Sequence, residues 1–160
     1  MTLSPLRRKL EPAIRPMMHL YWRFTRPATL GACGLVIDGR GRFFLVRNSY
    51  VDGWHMPGGG VETGETMLTA LTRELAEEGN ITLTGQPQLF GLYFNARVSR
   101  RDHVALYIVR DFLQERQPQP NREIVEHGFF SIDALPEETT RATRARIDEV
   151  FRGGQVSEMW

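Results

Sequence analysis

Residues 58–81 read GGGVETGETMLTALTRELAEEGNI, three consecutive glycines leading into a run dense in carboxylates. The spacing predicts a helix from about Thr66 to Gly79, with Leu68, Leu71 and Leu75 at i, i+3 and i+7 on one face. Glu74, Glu77 and Glu78 stand at i, i+3 and i+4, so they fan over roughly 100° of the helix surface beside that apolar stripe. Like charges at these spacings cost about 0.2–0.5 kcal/mol per pair, and near a helix C-terminus the macrodipole disfavours them further. A hard divalent cation would offset both effects, since Mg²⁺ and Mn²⁺ prefer carboxylate and carbonyl oxygens. A solvated acidic face is the plain alternative for a Glu pair on a helix, and the glycines upstream argue against it. Gly58, Gly59 and Gly60 let main-chain groups approach a metal or a phosphate closely.

Outward from this stretch the chain reads as a mixed α/β (α+β) fold. Upstream, residues 34–38 and 42–47 flank an Asp-Gly turn at Asp38 and Gly39, the pattern of a β-hairpin with two core strands. Residues 49–65 read as a Gly-rich loop. Downstream, strands are expected over 87–98 and 103–113, the first interrupted by Gly91, and a short strand or loop over 122–130. A helix over residues 140–152 follows, stopped by Gly153 and Gly154. Residues 1–30 look like an appendage, with Met17, Met18, Leu20, Tyr21, Trp22 and Phe24 set among arginines. A basic, aromatic-rich short helix can lie on a membrane or a nucleic acid. Because the stretch is short and bounded by prolines, the reading preferred is packing on its own domain, residues 31–160, or on a partner subunit.

The composition limits the function classes. With 160 residues, 41% of them hydrophobic and 24% charged, one domain can bury a sizeable core without disulfides or a structural metal. Cys33 is alone, no Cys/His pattern has zinc spacing, and neither a signal core nor a run of about 18 apolar residues occurs. A cytoplasmic protein with no membrane partner is therefore expected. Net charge is +1, but residues 1–30 carry six Lys/Arg against Glu11 alone, and the remainder is net −4. The basic character is local, which argues against a general nucleic-acid binder.

The full spacing is Gly59, five residues, Glu65, seven residues, Arg73-Glu74-Leu75, one residue, Glu77-Glu78, one residue, Asn80-Ile81. It resembles the signature of the Nudix hydrolase family, with Asn80 where that family has Gly. Asn is the non-glycine residue best suited to the left-handed conformation that ends a helix, so the departure is a mild one. The resemblance implies an α/β/α sandwich with a mixed β-sheet between helices. It implies Mg²⁺ or Mn²⁺ on Glu74, Glu77 and Glu78, helped by a backbone carbonyl near Gly58 or Gly59, with Gly59 preferred. Arg73 would orient a glutamate, and Glu65, Gly58 and Gly60 would support the loop–helix geometry. The implied reaction is water attack on a phosphorus of a nucleoside diphosphate linked to another moiety, such as a nucleotide sugar, ADP-ribose or a CDP-alcohol, or of a modified nucleoside triphosphate.

The general base is open at this level. Family members use a helix glutamate, here Glu74 or Glu77, or an acid from a later loop, for which Glu123 and Glu126 are available. Trp54, Arg97 and Tyr93 are of the types that stack on bases or hold phosphates and are candidate substrate contacts. Cys33 reads as an apolar filler rather than a nucleophile. The competing functions are a nucleotide-binding or regulatory domain without turnover, which the intact acids disfavour, and RNA 5′-end processing assisted by the basic segment. A small nucleotide is the expected partner, and a homodimer the assembly that many family members adopt.

Overall fold

The computed structural model describes residues 5–119, 124–153 and 155–160, with side chains described from Ile14 onward. A 21-residue helix, α1 (Pro5–Thr25), precedes strands β1 (Thr29–Val36), β2 (Phe43–Asn48), β3 (Trp54–His55) and β4 (Gly58–Gly60). The acidic helix α2 (Met67–Gly79) follows, then β5 (Thr82–Leu83), β6 (Gln88–Phe94), β7 (Asp102–Val109), β8 (Phe112–Leu113) and β9 (Ile124–Phe130). A single 3₁₀ turn, Ile132–Ala134, leads into α3 (Arg141–Arg152).

The strands divide into a four-stranded sheet of order β4-β1-β7-β6, a three-stranded sheet of order β3-β2-β9, and the small pair β5-β8. The larger sheet is mixed, because β1 runs parallel to β7 over eight residue pairs and antiparallel to β4. Both faces of β1 are buried, which explains its near-continuous apolar run. Ala32 and Val36 pack in the cluster that holds Leu71 and Leu75 of α2. Cys33, Leu35 and Ile37 pack in the opposite cluster with Phe43, Tyr93, Leu106 and Ile147 of α3. The helices therefore cover opposite faces of the sheets, as the expected α/β/α sandwich requires.

The expected hairpin over residues 34–47 is corrected. The turn is present, with the Asp38 carboxylate accepting from the N–H groups of Arg40 and Arg42 at 2.9 Å and pairing the Arg42 guanidinium. Only the bridge Ile37–Phe43 couples the two arms, which then diverge into different sheets. The edges of β1 are already taken by β7 and β4, so β2 pairs with β9 and β3 instead. Likewise the expected loop 49–65 contains β3 and β4, and the triglycine is itself an edge strand.

Helix α2 begins at Thr66, whose side chain accepts from the Thr69 N–H, and ends at Asn80 in the left-handed conformation (φ 49°, ψ 35°), as the sequence suggested. Ala70, Leu71 and Leu75 are fully buried. Leu68, in the first turn, is 37% exposed, so the buried stripe is narrower than the periodicity implied. The bulge between Leu89 and Gly91 of β6 is the interruption expected at Gly91. Helix α3 matches its expected span and closes on Gly153 at φ 62°; Gly154 lies outside the described residues. Helix α1 does not pack on the domain over its described side chains, and its apolar residues from Ile14 to Phe24 stand in solvent.

Candidate active site

Helical geometry grades the three acids of α2 by depth. Glu78 lies within about 20° of buried Leu71 around the helix, Glu74 about 60° away and Glu77 about 120° away. Their exposures follow that order: Glu78 is 8% exposed, the Glu74 side chain 14% and the Glu77 side chain 61%. A carboxylate as buried as Glu78 needs donors, and it accepts from the Gly58 N–H at 2.8 Å.

Arg73 is the hub that ties the helix to the glycine loop. Its Nε and Nη2 donate to the two carboxylate oxygens of Glu65 at 3.0 and 3.2 Å, a fork-to-fork pair. Nη1 donates to Glu74 at 2.7 Å and reaches Glu77 at 3.5 Å, while Nη2 also donates to the Gly60 carbonyl at 3.0 Å. The hydrogen bonds from Arg73 hold the Glu65 carboxyl below its ordinary range, and those to Glu65 and Glu74 raise Arg73. Glu65 also caps the loop by accepting from the Glu62 N–H.

Strand alternation decides which glycine faces the helix. Gly58 and Gly60 turn backbone groups toward α2, to Glu78 and Arg73 respectively. Gly59 pairs with Ala32 in the β1–β4 ladder. The expected role of the Gly59 carbonyl is corrected on this ground, since that carbonyl faces β1, close to Gly31. What Gly59 does supply is room: a Cβ there would collide with the Glu74 carboxylate. At Gly58 a Cβ would run into the Ala32 carbonyl and Cys33 Cα.

On the other side of this glycine strand opens a cavity of about 490 Å³, walled by β1, β4, His55, Asp102 and Trp160. Asn48 Oδ1 and His55 Nε2, both at its lining, are buried without a hydrogen-bond partner among the described residues. Burial pushes the His55 imidazole below its ordinary value, against the opposing hydrogen bonds it donates to the Val51 and Asp52 backbone. The Cys33 thiol, also at the lining, is driven up by burial and then by the charges of Glu78 and Glu74. Buried and directed at the Pro57 carbonyl at 3.4 Å, it packs as an apolar filler.

The expected substrate contacts fare differently. Trp54 is 8% exposed and packs edge-on against Phe130 at 4.9 Å, while its strand neighbour His55 faces the cavity; alternation along β3 puts the two on opposite sides. Tyr93 is fully buried, its hydroxyl donating to Glu149 at 2.9 Å and its ring lying 4.2 Å from the Arg146 guanidinium, so it is structural. Arg97 is exposed in the turn after β6, not on the strand. Glu126 sits on β9 opposite Arg47, with which it pairs at 3.4 Å, and none of its contacts brings it to α2. Glu123 lies outside the described residues.

The sequence reading missed Asn48, Asp102 and Trp160. Trp160 arrives by a return of the chain end along β6, where the Phe94 N–H donates to the Glu158 carbonyl and the Trp160 N–H to the Phe94 carbonyl. No local signal announces such a pairing. Among the described residues no three acids, histidines or cysteines already converge on one point as a preformed metal cluster. The carboxylates are instead held by Arg73 and Gly58. The donor set nevertheless fits a hard cation, because Glu65, Glu74 and Glu77 gather around the single guanidinium of Arg73 and Glu78 adds a fourth carboxylate on the same helix.

Comparison with known proteins agrees with this geometry. Of the curated proteins, none is similar enough in sequence to match. Among solved structures, the MutT NUDIX hydrolase from Burkholderia pseudomallei is 25% identical, with a TM-score of 0.66 over 78% of this chain and 98% of that one. A NUDIX hydrolase from Nitrosomonas europaea (19% identity, TM-score 0.65, 79% and 90% covered) shares the fold. So does an ADP-ribose pyrophosphatase from Streptococcus suis (23% identity, TM-score 0.58, 84% and 96% covered). Residues 27–151 match the NUDIX domain itself, a span that takes in both sheets, the acidic helix and nearly all of α3. With its signature helix hinged on Arg73 against a glycine strand, the chain belongs to the Nudix family of hydrolases.

Proposed function

We propose that the chain is a divalent-metal-dependent hydrolase of a phosphoanhydride bond in a nucleoside diphosphate linked to a second moiety. The observation that carries this reading is the shared wall: the same three glycines border the acidic arc of α2 and the 490 Å³ cavity. A ligand in the cavity can thus present a diphosphate to the carboxylates with no side chain between them. Nucleotide sugars, ADP-ribose, CDP-alcohols and modified nucleoside triphosphates all have this shape.

Glu74, Glu77 and Glu78 would hold Mg²⁺ or Mn²⁺, with a backbone carbonyl from the Gly58 side of the strand. When bound, the ion neutralises phosphate charge and acidifies the attacking water. Gly58 and Arg73 keep Glu78 and Glu74 oriented from behind. Glu77, the most exposed acid of the arc, takes the proton as the water oxygen bonds to phosphorus and the anhydride P–O bond breaks. Asn48 Oδ1 and His55 Nε2 offer hydrogen bonds to a base in the cavity, at the edge of which Trp160 and Tyr50 provide aromatic surface. The neighbours named MutT and ADP-ribose pyrophosphatase support a small nucleotide as substrate. A lone, buried thiol fits a reducing cytosol.

A phosphate-release screen with Mg²⁺ or Mn²⁺ across nucleoside triphosphates, dinucleoside polyphosphates, ADP-ribose, nucleotide sugars and CDP-alcohols tests the reading. One class should turn over, and Glu77→Gln should lower kcat by about 10²-fold or more with the melting temperature unchanged. Silence across the panel, with a nucleotide still raising the melting temperature, would assign a binding domain instead.

A further inference from the structure

Helix α1 extends for 21 residues, and its prolines do not interrupt its apolar side. At 100° per residue, Met17, Leu20, Tyr21 and Phe24 occupy one arc of about 100°. They are also the four most exposed apolar side chains among the described residues of the helix, at 66%, 57%, 63% and 73%. Pro16 falls just outside this arc, about 40° beyond Leu20. The other side carries Arg15, His19 and Arg23. There Trp22 is held edge-on by His19 at 5.7 Å, with the Arg26 guanidinium 5.9 Å from its ring. Residues 1–30 hold six Lys/Arg and one acid, while the remainder of the chain is net negative.

We propose that α1 lies flat on an anionic phospholipid surface, its Met17–Leu20–Tyr21–Phe24 arc in the acyl boundary and its arginines among the headgroups. Three features select this occupant. The apolar arc is about 100° wide, because Tyr21 stands beside the Met17, Leu20 and Phe24 row and broadens it past a bare a/d seam. The polar face is basic, which complements the negative surface potential of anionic lipid. Aromatic and aliphatic side chains on one face with arginines on the other are the composition of an interfacial helix. Among the described residues no helix is long and apolar enough to cross a membrane, so α1 rests on the surface rather than spanning it. The sequence alone argued against a membrane because the segment looked short and bounded by prolines; a helix that runs 21 residues removes the objection of length.

The test is co-sedimentation of the full chain with vesicles of phosphatidylcholine alone or mixed with phosphatidylglycerol. At least tenfold stronger binding to the anionic vesicles is expected, lost at high salt and lost in the Met17→Ser/Phe24→Ser double variant. Those positions stand outside the folded domain, so the variant should keep its melting temperature. An Arg15→Gln/Arg23→Gln variant should likewise lose anionic preference. Equal binding by the parent chain and the serine variant would overturn the proposal. So would absence of vesicle binding together with a dimer, seen by light scattering, that the serine substitutions dissolve, which would give the face to a second copy. Salt-sensitive retention of an RNA oligonucleotide without vesicle binding would overturn it equally.

Discussion

Gly59 owes its place to a neighbour rather than to a turn. Its Cα lies against the Glu74 carboxylate, and a methyl group there would displace the acid that Arg73 holds. Gly59→Ala should therefore lower turnover by about 10²-fold, the cost of misplacing a reacting group by roughly 1 Å, with a melting temperature close to that of the parent. Unchanged kcat would mean that Glu74 has no fixed position to lose. His55 makes a prediction in pH. Its folded pKa is held below the ordinary 6.5 by burial, so the unfolded chain binds the proton more readily. Stability should be full above pH 6.5 and decline as pH falls through that value. Urea midpoints from pH 7.5 to 5 should show the decline, and in His55→Gln the slope over that window should flatten; an equal slope would move the linkage elsewhere.

At the scale of elements, α2 is a helix whose two ends are defined by side chain and backbone chemistry. Thr66 caps one end, and at the other the Asn80 and Ile81 N–H groups return to the Ala76 and Leu75 carbonyls. Asn80→Gly should leave the urea midpoint nearly unchanged. Asn80→Val should cost about 1–2 kcal/mol, because a β-branched residue resists φ of 49°. Equal stability of the two variants would show that the left-handed cap carries no strain. The acids, the arginine and the cap of α2 were legible because helical spacing turns sequence distance into angle. The depth of each acid was not, since it depends on where β1 and β4 press against the helix.

For the molecule as a whole, a polar knot joins the chain end to the core. Arg146, 3% exposed, donates to Glu149 at 2.6 Å and to the Met159 carbonyl at 2.7 Å, while Glu149 also accepts from the Tyr93 hydroxyl and the Ser157 N–H. Glu149→Ala leaves a buried guanidinium without its counter-ion, and a loss of about 3–5 kcal/mol is expected by denaturation. A loss under 1 kcal/mol would show that water or the chain-end carbonyls compensate. Because this knot seats Trp160 beside the cavity, the same variant should raise KM for the substrate.

Residue spacing alone carried the acidic helix, its left-handed end at Asn80 and the family, and it read Cys33 as an apolar filler. Each of these rests on residues within about 25 positions of one another, or on burial that an apolar run already implies. Long-range contacts were needed to part the residue 34–47 arms into two sheets, to turn His55 and not Trp54 to the cavity, and to bind Tyr93 to Glu149. The fold alone turned the backbone groups of Gly58 and Gly60, and not the Gly59 carbonyl, toward α2, and it left α1 with an uncovered apolar side over its described side chains. Strand pairing is a competition among edges far apart in the chain, and which face of a strand is buried follows its partner. Neither outcome is written in the spacing of neighbours.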